Sequence, residues 1–174
     1  MKDRLRWCIP ICIVFAAAAV LAGCGYRFAG GGAFPYGVKK IAVEVLANRT
    51  AEAGLENTIT NELIYEFNRN GQVQVVEPEK ADAVLKGSIE KLSVLSVSRS
   101  SILTSQAERV YVLVNLKLVR PDGAFLWKGD GIAEDEAYTV SSDKQVTEAN
   151  RRRAIKNLSP RLAQKVYNRI TANF

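Results

Sequence analysis

The chain has no histidine, and its three cysteines, Cys8, Cys12 and Cys24, all lie near its start. Without imidazole there is no ordinary general base near neutral pH and no histidine-containing zinc set. Beyond Cys24 there is no thiol for a disulfide, a metal site or a nucleophile. The glycines form neither a serine elbow nor a phosphate loop: Gly30, Gly31 and Gly32 have no strand before them, no helix after them and no Lys-Ser or Lys-Thr pair. Long apolar runs are also scarce. The one at residues 7–22 falls short of the ~20 residues that cross a bilayer, and it contains Pro10. The acidic cluster Asp130, Glu134, Asp135 and Glu136 lacks the alternating spacing of a calcium loop and reads as a solvated strand edge. The expectation is a non-enzymatic protein with no metal and no cofactor.

What is present starts at the N-terminus. Lys2, Arg4 and Arg6 precede the apolar run, which is the layout of an export signal. The run closes on Leu21-Ala22-Gly23-Cys24, which resembles the lipobox of bacterial lipoproteins, where small residues admit the chain to the signal peptidase and the cysteine sulfur receives diacylglycerol. On that resemblance residues 1–23 are removed, and Cys24 is the lipid-attachment site and first mature residue, anchored through acyl chains such as palmitate. A single acyl chain binds marginally at ~0.8 kcal/mol per buried methylene, whereas a full lipoprotein set holds permanently. Residues 24–37, with Tyr26, Phe28, Phe34 and Tyr36 among many glycines, read as a tether with aromatic anchors.

Residues 38–174 read as a single periplasmic domain. Ile41, Val43 and Val45 alternate with Ala42, Glu44 and Leu46 as in a strand with one buried face. A turn at Asn48-Arg49-Thr50 leads to a helix with Leu55, Ile59, Leu63 and Phe67 on one side, stopped by Asn70-Gly71. Strands follow at residues 72–76, 83–97 and 109–119, the last with Val110, Val112, Val114, Leu116 and Leu118 alternating. Pro121-Asp122-Gly123 is a tight turn into a strand over residues 124–138, with Leu126 and Trp127 inside. Ser142-x-x-Gln145 resembles a capping box before a final helix striped by Ile155, Leu158, Leu162, Val166 and Ile170, which Pro160 must kink or divide. This order predicts an α+β fold in two layers: a mixed, mostly antiparallel sheet with two amphipathic helices packed on one face.

Removing Lys2, Arg4, Arg6 and Asp3 lowers Lys plus Arg from 24 to 21 and Asp plus Glu from 18 to 17, so the net charge falls from +6 to +4. From Asp143 onward eight basic residues face two acidic ones, so this segment carries the whole excess. An exported, tethered protein does not normally meet nucleic acid, which leaves a phosphorylated glycolipid or an acidic protein surface as the anion. Arg151-Arg152-Arg153 cannot all face one ligand from a helix and divides between solvated face and partner contact. The loop at residues 98–108 puts Ile102 and Leu103 between Arg99 and Arg109. Its apolar tip either folds back on the sheet or meets a lipid with a phosphate head.

Several pieces then resemble, in order, the lipopolysaccharide-assembly lipoprotein LptE family. They are Cys24-Gly25-Tyr26, Ile41-Ala42-Val43, Asn48-Arg49-Thr50 with Gly54-Leu55-Glu56, residues 81–87, Tyr111-Val112-Leu113-Val114, residues 123–127 and the terminal basic helix. The resemblance implies an outer-membrane lipoprotein in the inner (periplasmic) leaflet that plugs and helps to assemble the β-barrel LptD and assists lipopolysaccharide delivery to the cell surface. The candidate contacts for lipopolysaccharide or partner are Lys91, Arg99, Ile102, Leu103 and Arg109. Some of the same pieces also resemble periplasmic lipoproteins that regulate cell-wall synthases or assemble secretion channels, and that alternative stays open.

Overall fold

The computed structural model describes residues 34–97 and 107–172. The elements are β1 (Lys40–Val43), β2 (Ala47–Asn48), α1 (Leu55–Asn70), β3 (Gln74–Val75), β4 (Ala83–Val97), β5 (Ala107–Val119), β6 (Phe125–Thr139) and α2 (Lys144–Thr171). Short 3-10 turns at Pro35–Gly37 and Pro78–Lys80 precede β1 and β4. The sheet order is β3-β1-β4-β5-β6, with β2 also on β4. β3, β1 and β4 run parallel, and β4, β5 and β6 are antiparallel. This is the two-layer α+β fold expected from the stripes.

The helices lie on one face because the apolar stripes leave them no other way to be buried. Leu55, Ile59, Leu63 and Phe67 of α1 and Ile155, Leu158, Leu162, Val166 and Ile170 of α2 share one core with the five alternating residues of β5. The opposite face carries only a small cluster of Ala42, Ala81, Val84 and Val119. Phe34 joins the main core, its ring 6.0 Å from Phe67 and 6.3 Å from Tyr167. The packed unit therefore includes the aromatic residue that ends the glycine-rich stretch.

Local signals account for the joints. Asn48 Oδ1 accepts from the Thr50 N–H (2.9 Å), and Asn48 Nδ2 donates to the Glu52 carbonyl and the Glu56 carboxylate (2.7 Å each). One side chain thus folds the turn and ties it to the first turn of α1. Gly71, at φ 65°, ends α1 by donating its N–H to Phe67 O. In the β5–β6 hairpin, Gly123 donates to Arg120 O (2.9 Å) and Arg120 donates to Ala124 O (2.8 Å), a proline-led turn closed by a glycine at φ 87°.

Four expectations change. Alternation fails after Val43: Leu46 is buried and Val45 is 63% exposed. Between the pairs Val43↔Leu85 and Ala47↔Ser88 the first chain advances one residue more than β4, and a bulge of one residue reverses the faces. The helix cap is Asp143, whose Oδ1 accepts from the Gln145 N–H at 2.7 Å, rather than Ser142. Pro160 does not divide α2, since its ring lies on the exposed side, where water can serve the carbonyl that loses its partner. Leu126 falls at a bulge between Leu118↔Trp127 and Val119↔Phe125, so it is only half-buried while Trp127 goes inside.

A candidate lipid and partner interface

The helix-free face of the sheet is the open surface on which two sequence candidates meet. Ile89 pairs with Val114, but the next pair is Lys91 with Leu113, so Glu90 is an extra residue on β4. That bulge re-aims the strand. Before it Leu85 and Ile89 face the helices; after it Leu92 and Val94 do, and Lys91 turns to the open face. A second bulge lies at the same level of the sheet, where Val114↔Ile132 is followed by Leu116↔Gly129, and Gly131 at φ 64° donates its N–H to Asn115 Oδ1 (2.7 Å).

On β5, Leu113, Tyr111 and Arg109 share the open face with Lys91, Ser93 and Leu95 opposite them. Lys91 and Arg109 are therefore on one surface, two alternate positions apart, which is about 14 Å along the sheet. Arg109 is held to Asp135 of β6 at 2.8 Å with both side chains partly exposed. Lys91 is exposed and forms no ion pair among the described residues. Arg99, Ile102 and Leu103 lie outside the described residues, as does Cys24.

Of the acidic cluster, Asp130 stays exposed beside Lys128 as expected, but the run Glu134-Asp135-Glu136 is not a solvated edge. By strand alternation Glu134 and Glu136 project to the helix side and Asp135 to the other. Glu134 binds Lys165 (2.7 Å) and Arg161 (3.4 Å), and Glu136 binds Arg161 (2.7 Å). The Lys165 ammonium, followed by Arg161, holds the Glu134 carboxyl below the usual range against a smaller opposing effect of burial. The signal was available in the sequence, because period-two spacing separates these carboxylates into two faces. What it could not show is which cations would be opposite.

The same pairing sorts the basic helix. Arg151, 18% exposed, turns inward to Glu52 (2.9 Å) and Glu148 (3.1 Å). Arg152 and Lys156 line a groove of about 470 Å³ with Leu55, Asn61 and Glu62 at the start of α1. Arg153 instead faces Thr139 and Asn150 beside β6. The three consecutive arginines thus go three ways, as helical geometry requires. Arg152, Arg153, Lys156 and Arg169 are exposed and form no ion pair among the described residues. The charge available to an outside anion is smaller than the composition suggests.

Tyr138 sits beside Glu108 on the helix side, its hydroxyl donating to that carboxylate, and burial followed by the carboxylate pushes the phenol up. Among the described residues no group of acidic side chains is arranged to hold a metal ion, and no helix is long and apolar enough to cross a membrane.

This fold recurs among bacterial lipoproteins. A minor lipoprotein from Acinetobacter baumannii is 16% identical with a TM-score of 0.52, over 78% of this chain and 92% of that one. An uncharacterized lipoprotein B from Nitrosomonas europaea is 13% identical with a TM-score of 0.55, over 78% and 83%. No curated protein matches the chain. The family model for LptE, lipopolysaccharide-assembly, matches residues 38–170. The chain belongs to the LptE family, a lipoprotein family with a role in lipopolysaccharide assembly.

Proposed function

We propose that this protein is lipidated at Cys24, resides in the inner leaflet of the outer membrane, plugs and helps to assemble the LptD β-barrel, and assists lipopolysaccharide delivery. The observation that carries the reading is the match of nearly the whole packed unit to the LptE family, joined to a lipobox immediately upstream. A two-layer body whose strands and helices share one core suits a plug, which must keep its shape against a barrel wall. The role is non-enzymatic: Glu134, Asp135 and Glu136, the carboxylates nearest to an acid–base set, are engaged in ion pairs that hold the fold. Lys91 on the open face, with Arg99 nearby in sequence, supplies charge for lipid phosphates, and Arg109 on the same face does so only by sharing its guanidinium with Asp135.

The test is extraction of the tagged, lipidated protein from its own outer membrane in mild detergent, followed by identification of equimolar partners. A large, heat-modifiable β-barrel is expected. A cell-wall synthase, or no stoichiometric partner, overturns the plug and favours a periplasmic regulator. For the lipid, Lys91→Glu and Arg99→Glu together are expected to weaken lipopolysaccharide binding with unchanged melting. Arg109→Gln is the cleaner third variant, because glutamate there would repel Asp135. Unchanged binding in all three removes this face from the lipid site.

A further inference from the structure

The two long edges of the sheet are treated differently. Along β6, side chains of α2 occupy the outward carbonyls: Lys165 Nζ donates to Ala133 O (2.7 Å), Arg161 Nη2 to Asp135 O (2.8 Å) and Asn150 Nδ2 to Thr139 O (2.9 Å). A further strand cannot pair there without displacing them. On β4 the opposite holds. Leu85 and Ile89, which face the helices, turn their carbonyls towards β1 and β2, where the N–H groups of Glu44 and Arg49 donate to them (3.0 Å each).

In a strand the side-chain face and the backbone side alternate together. Leu92, Val94 and Ser96 share that parity beyond the bulge, so their N–H and C=O groups point to the same outer side. Among the described residues no strand lies on that side past Ile89, while residues 91–97 remain fully paired to β5. The sequence does not protect this edge either. Residues 92–97 contain no charge, proline or glycine, and Leu95 is 55% exposed.

We propose that the outer edge of β4 at residues 92–96 receives an extended segment of the barrel partner as an added strand, with a carboxylate of that segment beside Lys91. This rests on the plug reading. Two observations choose the occupant. The chain's own tether is too short: Arg120, next to the base of β4, holds the Tyr36 carbonyl (3.1 Å), and residues 25–33 span at most about 31 Å. The base of β4 lies about 24 Å from Lys91, so little tether would remain to pair. Arg109 is already matched by Asp135, but Lys91, exposed at the start of this edge, has no acidic partner among the described residues, which suits an acidic strand and disfavours a second copy that would bring its own Lys91 there. Strand addition of this kind takes affinity from backbone bonds and specificity from alternate side chains.

The experiment is amide hydrogen exchange at single-residue resolution on the full lipidated protein, alone and co-purified with its barrel. Protection of Leu92, Val94 and Ser96 is expected to rise at least tenfold in the complex, while Lys91, Ser93 and Leu95, already bonded to β5, change little. Ser96→Pro removes one outward N–H without touching the β4–β5 ladder. It is expected to abolish that added protection and to lower the recovered barrel severalfold at unchanged melting. A bound barrel with Leu92, Val94 and Ser96 exchanging as in the free protein overturns the edge proposal and leaves the plug reading standing. Recovery of no barrel overturns both. The same protection in barrel-free protein of doubled mass assigns the edge to a second copy and overturns the proposed occupant.

Discussion

Phe34 is the first core residue of the packed unit, and Phe34→Ala measures how firmly that start is held. The ring is 2% exposed and packs in a triangle with Phe67 and Tyr167, themselves 5.4 Å apart. Burying a phenylalanine gains ~1.5–3 kcal/mol by transfer alone, and truncation in a core costs ~3–5 kcal/mol once the cavity is included. Phe34 begins the packed unit, so the neighbouring chain can relax into part of the space, and the expected loss is near the lower limit, about 3 kcal/mol. At this chain length that lowers Tm by about 9 °C. Urea unfolding of a soluble chain beginning at Gly25, followed by far-UV circular dichroism, reads the loss as a lower midpoint at unchanged slope. Phe34→Leu is expected to restore roughly half of it. Tyr167→Phe keeps the third ring but removes a buried hydroxyl with no hydrogen-bond partner among the described residues, and is expected to be neutral or stabilising. A loss below ~1 kcal/mol for Phe34→Ala would refute the reasoning, because the segment would then lie on the core without belonging to it.

Three further outcomes follow from the packing. A Cβ on Gly87 would lie 2.1 Å from the Asn115 carbonyl of the neighbouring strand, so Gly87→Ala is expected to cost ~1–3 kcal/mol by forcing β4 and β5 apart, checked by denaturant melts; a change within ~0.5 kcal/mol would contradict the close approach. Arg151→Ala breaks the link between α2 and the segment before α1 and is expected to destabilise by ~1–2 kcal/mol, whereas exposed Arg152→Ala changes stability by less than ~0.5 kcal/mol. The Glu134 carboxyl titrates lower in the folded protein than its ordinary value of 4.5, so its contribution is present above that value and disappears as pH falls through the lowered one. Glu134→Gln is therefore expected to flatten the loss of stability between neutral pH and pH ~3 in acid titrations of Tm, and an unchanged slope would remove the Lys165–Glu134 contact from the account.

Much of the architecture is legible from residue order because it depends on periodicity within one segment. The four-residue stripe of α1, the alternation of β5 and the Pro-Asp-Gly turn are satisfied locally and appear where expected. The acidic run and the arginine triplet were legible only in part. Alternation separates Glu134 and Glu136 from Asp135, and helix geometry splits Arg151, Arg152 and Arg153, but neither rule names the partner.

The sequence by itself determined the basic and apolar N-terminal run that closes on the lipobox-like Leu21-Ala22-Gly23-Cys24, the absence of thiol and imidazole chemistry beyond Cys24, the two helices, the long strands and the one-sided core that forces two layers. Only the tertiary structure decided which way side chains face after each bulge, because one extra residue between strands distant in sequence reverses every position that follows. It also decided which charges remain available. Arg151 finds Glu52, Arg161 finds Glu136 and Arg109 finds Asp135 across the fold, so the basic excess counted along the chain becomes a few exposed cations, with Lys91 alone of the two described sheet-face candidates left without an acidic partner among the described residues.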